Sequence, residues 1–256
     1  MNQDERKRAL DQIAHEVSVC TACPLHVGRT HAVPGEGHPQ TEVVFVGEGP
    51  GFNEDQQGRP FVGAAGGLLN ELLKAIGWRR EEVFITNVVK CRPPQNRDPE
   101  PAEIAACAPY LKRQLEVLDP ALVVTLGRFS LQTFMPGARI TSAHGTVKPV
   151  DPETGAGSAV AYAMYHPAAA LRAGSLKQTM LEDMAGIPQV LIDSRARREP
   201  PQPRLEAVAL PIEPEAEMEV DAAADAAVEA AVDAALAVVA ALPEPVADDN
   251  QTTLFG

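Results

Sequence analysis

Short apolar runs alternate with stretches of helical spacing through most of this chain. Gln3 to Val19 places Leu10, Ile13 and Val17 on one helical face and runs straight into the loop Cys20-Thr21-Ala22-Cys23-Pro24. Val43-Val44-Phe45-Val46 is β-branched and aromatic enough for a buried strand, which stops at the turn Gly47-Glu48-Gly49-Pro50-Gly51. A helix follows from near Gly63, with Leu68, Leu69, Leu72, Leu73 and Ile76 on its apolar side, and ends at Gly77. Val83 to Val89 reads as a second strand, closed by Lys90-Cys91-Arg92-Pro93-Pro94, whose prolines force a loop. Pro101 suits the first position of a helix that carries Ile104, Ala108, Leu111, Leu115 and Leu118 on one face and also holds Cys107. Ala121 to Gly127 is a third strand, Phe129 to Phe134 a short helix, and Val160 to Tyr165 a fourth strand entering the loop His166-Pro167-Ala168-Ala169-Ala170-Leu171-Arg172. A last helix spans roughly Leu176 to Ile192. Strands that alternate with helices predict a three-layer α/β/α domain with a central, mainly parallel, four-stranded sheet covered on both faces.

After Arg198 the pattern changes. Five prolines fall between Pro200 and Pro214, and then Asp221, Asp225, Glu229 and Asp233 recur every fourth residue among alanines. Val228, Val232 and Leu236 keep the same step, but a lone alanine-rich helix is marginal in water, so disorder is the expectation. The division expected is a domain over residues 1–198 and an acidic Pro/Ala-rich tail over 199–256. From Glu199 onward there are 13 acidic residues and one basic residue, so the tail carries −12 of the net charge of −13. The domain is therefore near neutral, and the overall acidity does not exclude a local basic face for nucleic acid. Met1 to Cys20 is charged throughout, unlike a secretory signal, and the apolar stretch Ala222 to Leu242 is interrupted by Asp225, Glu229 and Asp233. No membrane span and a cytoplasmic location are expected, and a monomer.

In such a compartment four cysteines are ligand candidates rather than disulfides. Their spacing is C-x2-C, 67 residues, then C-x15-C, so Cys20 and Cys23 from one loop must meet Cys91 and Cys107. Four thiolates suit either zinc or a [4Fe–4S] cluster, and spacing alone leaves both open. Elsewhere, Gly47 and Gly49 bring bare backbone to the end of the first strand, where ligands bind in open α/β sheets. Phe61, between Pro60 and Val62, offers a flat face to a planar ligand from the same loop. Asn87 near the end of the second strand offers a donor and an acceptor to a base edge. His166 points from the fourth strand toward the rim of Gly47, and Leu171 and Arg172 suit contact with a nucleic-acid backbone.

GEGPGFNEDQQGRPFVGAAG, NVVKCRPPQNR, HPAAALR and the cysteine spacing together resemble the family 4 uracil-DNA glycosylases over about Cys20 to Asp193. The resemblance implies a [4Fe–4S] cluster on Cys20, Cys23, Cys91 and Cys107. It also implies hydrolysis of the N-glycosidic bond of deoxyuridine in single- or double-stranded DNA, leaving an abasic site, the first step of base-excision repair. Phe61 would stack on the flipped uracil, Asn87 read its polar edge, and His166 donate to O2, with Gly47 to Gly51, Gly49 included, lining the pocket floor. Where the wider superfamily can carry a water-activating aspartate, this chain has Gly49, which leaves Glu48 and, second, Glu54 as available carboxylates. The loop Lys90 to Arg97 has no histidine of the kind with which a related family bonds DNA covalently, so ordinary turnover is expected.

Two other readings stand beside this one: a cluster-bearing nucleic-acid-binding protein without turnover, and a glycosylase of the same fold with another preferred base. The terminus Gln251-Thr252-Thr253-Leu254-Phe255-Gly256 resembles the Q-x-x-L-F peptide that docks on bacterial sliding clamps. Leu254 and Phe255 would fill an apolar pocket while Gln251 makes hydrogen bonds.

Overall fold

Six strands form one sheet in the computed structural model, which describes residues 1–198. In chain order the elements are α1 (Gln3–Val19), α2 (Leu25–Gly28), β1 (Glu36–Gly37), β2 (Val43–Gly47), α3 (Phe52–Gln57), α4 (Ala64–Ala75) and β3 (Phe84–Asn87). They continue with α5 (Pro101–Leu118), β4 (Leu122–Leu126), α6 (Arg128–Phe134), α7 (Ile140–Ala143), β5 (Val147–Pro149), β6 (Val160–Met164), α8 (Pro167–Arg172) and α9 (Ser175–Arg198). The strand order is β1-β3-β2-β4-β6-β5. Its centre, β3-β2-β4-β6, is parallel throughout and consists of the four strands the apolar runs predict. Two short antiparallel strands, β1 on β3 and β5 on β6, extend the expected sheet at its edges.

Alternation along the central strands divides the core. Val44 and Val46 face α5 and α6, packing with Leu111, Leu115, Leu131 and Phe134. Val43 and Phe45 face the other way, onto Leu69, Leu72 and Leu73 of α4 and Met180, Met184 and Ile187 of α9. Both faces are apolar because helices cover both, as a parallel sheet requires. On α5 the buried side runs through Cys107, Leu111, Gln114, Leu115 and Leu118, while Ala108 is exposed, contrary to the face expected from spacing. The segment after His166, read as a loop, is the helix α8: Pro167 occupies its first turn, and the His166 side chain caps it by accepting from the Ala168 N–H. Among the described residues no helix is long and apolar enough to cross a membrane. The tail, with Gln251, Leu254 and Phe255, lies outside the described residues.

Candidate active site

Parallel pairing brings the C-terminal ends of the central strands to one edge. Gly47 lies opposite Asn87 in the β2–β3 register, and the Gly127 N–H bonds to the Met164 carbonyl at 2.9 Å, which sets His166 beside them. A cavity of about 420 Å³ opens there, lined by Glu48, Gly49, Glu54, Phe61, Asn87 and His166 among others. Gly47 forms the packed layer beneath. A Cβ on Gly47 would overlap the Asn87 Oδ1 and the edge of the Phe61 ring, so only glycine lets amide and ring meet. Gly127, at φ +90°, is needed for the same reason, since a Cβ there would lie 2.8 Å from the His166 Cβ.

Phe61 is not exposed in its loop, as the sequence suggests, but buried, and its backbone is left-handed at φ +50°. A non-glycine residue holds that conformation only where its surroundings impose it. Two groups do so. The Glu54 Oε1 accepts from the N–H groups of Val62 and Gly63, each at 2.8 Å, and the Arg80 guanidinium donates to the carbonyls of Pro60 and Phe61 while pairing with Glu36 of β1. The ring so fixed stacks on His166, with centroids 5.6 Å apart and planes 29° from parallel.

Asn87 is 1% exposed, and its Oδ1 has no hydrogen-bond partner among the described residues. Buried amides are nearly always satisfied, so an orphan in a cavity wall marks a group kept for a ligand. The backbone beneath it is tied down: the Asn87 carbonyl accepts from the Lys90 Nζ at 2.8 Å, and Lys90, 1% exposed, also donates to the Thr86 Oγ1 and Gln114 Oε1 at 2.6 and 2.7 Å.

His166 is a neutral donor. Its Nδ1 accepts the Ala168 N–H at 3.1 Å, which leaves the ring proton on Nε2. Burial, against the weaker pull of Glu54, lowers its pKa to about 4. Glu48 is half-buried, and burial first, then the neighbouring Asp98, raises its carboxyl above the ordinary range, with Arg128 opposing. Glu54 lines the same cavity but commits one oxygen to the Phe61 turn. Arg172 reaches the cavity wall, while Leu171 is 54% exposed beside it.

The four cysteines come together on the α5 face of the sheet, where Cys20, Cys23, Cys91 and Cys107 line one cavity between the end of α1, the loop after β3 and α5. None of the four is in a disulfide. The Arg29 Nη1 donates to the Cys91 Sγ at 3.3 Å, the Lys90 N–H to the Cys107 Sγ at 3.2 Å and the Ala22 N–H to the Cys20 Sγ at 3.4 Å. Burial raises the Cys91 thiol and pushes that of Cys107 up to about 11, so their thiolates need a cationic centre. Among the described residues no three Cys, His, Asp or Glu side chains gather closely enough for one metal ion. The donor set in this cavity is thus all sulfur, the chemistry that suits either zinc or an iron–sulfur cluster.

The structure thus gathers Glu48, Gly49, Glu54, Phe61, Asn87, His166 and Arg172 at one cavity and the cysteines at another. Sequence reasoning missed Arg80, Lys90 and Asp98, whose roles depend on contacts between distant segments. The family model of the uracil DNA glycosylase superfamily matches residues 34–185. A type-4 uracil-DNA glycosylase of Sulfurisphaera tokodaii is 47% identical over 193 residues, covering 72% of this chain and 86% of the relative. Enzymes of the same name from Thermotoga maritima and Archaeoglobus fulgidus are 45% and 46% identical, over 70% of this chain and 93% and 92% of their own lengths. With relatives of 45–47% identity covering at least 70% of it, the chain belongs to the type-4 uracil-DNA glycosylases of the uracil DNA glycosylase superfamily.

Proposed function

We propose that this uracil-DNA glycosylase takes an extruded deoxyuridine into the 420 Å³ cavity and hydrolyses its N-glycosidic bond there, releasing uracil and leaving an abasic site. The observation that carries the assignment of this cavity is the unpartnered Asn87 amide, buried beside the stacked Phe61 and His166. Uracil presents a donor at N3 and an acceptor at O4, which one amide pairs in two hydrogen bonds. Phe61 covers the face of the base. As the C1′–N1 bond breaks, electron density moves onto the base and reaches O2, where the His166 Nε2–H donates. A neutral imidazole already bearing its proton on Nε2 needs no rearrangement to do this. The sugar acquires oxocarbenium character, and water adds to C1′. Glu48 accepts that water's proton, a role its raised pKa supports, while Glu54 holds the Phe61 turn. Leu171 contacts the strand outside the cavity, and Arg172 contacts it from the cavity wall.

Cys20, Cys23, Cys91 and Cys107 hold a [4Fe–4S] cluster in this proposal. The cluster would cross-link α1, the loop after β3 and α5; the all-thiol donor set supports it. The enzyme acts in the cytoplasm as a monomer, and Gln251, Leu254 and Phe255 dock on a sliding clamp. Deleting residues 251–256 abolishes clamp binding without changing uracil release from a short oligonucleotide; unchanged clamp binding refutes the docking. The catalytic proposal is tested by single-turnover release of free uracil from a labelled oligonucleotide. Wild-type release with Asn87→Ala slowed by more than about tenfold is expected. Equal rates in the two proteins remove Asn87, and with it this cavity, from the mechanism.

A further inference from the structure

Phe52, the first residue of α3, is 55% exposed, although Phe45, Phe61, Phe84 and Phe134 are all buried. It lies in the chain between Gly51 and Glu54, both of which line the base cavity, so it borders that lining. The Arg92 guanidinium lies 5.1 Å from the ring centroid. Arg92 comes from the loop after β3, next to Pro93 of the cavity wall, and its Nε donates to the Oδ1 of Asn96, another lining residue, at 2.7 Å. No carboxylate pairs with Arg92 among the described residues, so its positive charge has no counter-charge there. An exposed aromatic ring bearing an uncompensated cation, next to the lining of a pocket that takes up one base, matches the chemistry by which proteins hold single-stranded nucleic acid. There the ring stacks on a base and the cation faces phosphate.

We propose that Phe52 and Arg92 form a stacking platform for a nucleotide adjacent to the extruded uracil in single-stranded DNA. This rests on the assignment of the cavity to uracil. Extrusion strips the neighbouring base of one stacking partner, and the Phe52 ring replaces it. In a duplex that neighbour remains paired and stacked on its other side, so the platform contributes mainly on single strands. Arg92 fixes the ring and draws the backbone toward it.

The test uses the full chain and oligonucleotides in which uncleavable 2′-fluoro-deoxyuridine is flanked on one side or the other by fluorescent 2-aminopurine. Phe52→Ala is expected to weaken single-strand binding and raise KM roughly tenfold, with kcat within about twofold and a much smaller effect on duplex, because stacking of one base is at stake. With wild-type protein at saturation, 2-aminopurine on one side stays quenched, and Phe52→Ala releases that quenching. Phe52→Trp restores both binding and quenching. Arg92→Gln lowers the salt slope of single-strand binding by about 0.7. Unchanged KM and unchanged fluorescence on both sides in Phe52→Ala overturn the platform. A wild-type protein that binds but releases no uracil from a cleavable strand instead overturns the assignment of the cavity, and the two failures are distinct.

Discussion

In the proposed mechanism His166 acts through its Nε2–H and Asn87 through the two ends of one amide, and that makes their substitution informative. Removing one preorganised donor from a developing anion costs on the order of 2–4 kcal/mol, so His166→Ala is expected to slow single-turnover uracil release by at least about tenfold with the fold intact. A wild-type rate would remove the imidazole from the mechanism. Asn87→Asp replaces an amide by an acceptor-only carboxylate, which repels uracil O4 and accepts from the amino group of cytosine; cytosine release from a labelled strand is the expected gain, and its absence together with retained uracil release would refute the reading. The His166 pKa of about 4 also has a sign for stability. An unfolded histidine titrates near 6.5, so between these values the unfolded chain binds more protons, and stability falls as pH drops from about 6.5 toward 4. Urea unfolding across that range should show a shallower pH dependence in His166→Gln than in wild type; parallel curves would contradict it. Glu48, whose carboxyl is raised by burial, must be ionised to accept a proton, so activity should decline with falling pH at a higher point than for an ordinary carboxylate. An acidic limb that persists unchanged in Glu48→Gln assigns it elsewhere. The candidates at this scale were legible as residue types at strand ends. What was not legible is the conformation of Phe61, because its φ of +50° is imposed by Glu54 and Arg80 from other segments.

The four central strands and the long helices could be read from apolar runs and spacing, because both faces of a parallel sheet are buried and the strands are apolar apart from Thr86, Asn87 and Thr125. The elements that escaped lack that signal. β1 is two residues long, β5 is exposed at all three of its positions, and α3 is the polar run FNEDQQ ended by Gly58 at φ +68°. Two adjacent glycines of α4 show how element and site are joined. Gly66 is buried, and a Cβ on it would overlap the Phe61 carbonyl, whereas a Cβ on Gly67 meets nothing within 4 Å. Gly67→Ala should therefore stabilise the protein by about 0.5–1 kcal/mol through helix propensity. Gly66→Ala, the same chemical change one residue earlier, should destabilise it, by about 1–3 kcal/mol if overpacking sets the cost, and displace Phe61 from His166. Chemical denaturation of the two variants decides the matter, and shifts of the same sign would refute the packing argument.

At the scale of the whole molecule, two centres share one strand end. Asn87 closes β3, and four residues later Cys91 enters the cysteine cavity on the α5 face, with Lys90 between them bonded to the Asn87 carbonyl and, through its N–H, to the Cys107 sulfur. The sequence shows that Cys20, Cys23, Cys91 and Cys107 must meet if they are ligands, but neither spacing nor burial alone separates zinc from iron–sulfur. The all-thiol lining of the cavity suits the proposed cluster, and the four thiols that it would join lie 3 to 87 positions apart in the chain and share one cavity only through the fold. A centre that cross-links such distant segments stabilises the fold more than it assists bond cleavage. The purified protein should accordingly be brown, with close to four irons and four inorganic sulfides per chain, as a [4Fe–4S] centre requires. Cys107→Ala should lose colour and solubility together, while the soluble fraction that retains its fold keeps most of its single-turnover rate per folded molecule. Metal analysis of wild type decides the identity of the centre: colourless, fully active protein containing zinc alone would exclude the cluster. A folded Cys107→Ala with full iron content would instead exclude Cys107 as a ligand.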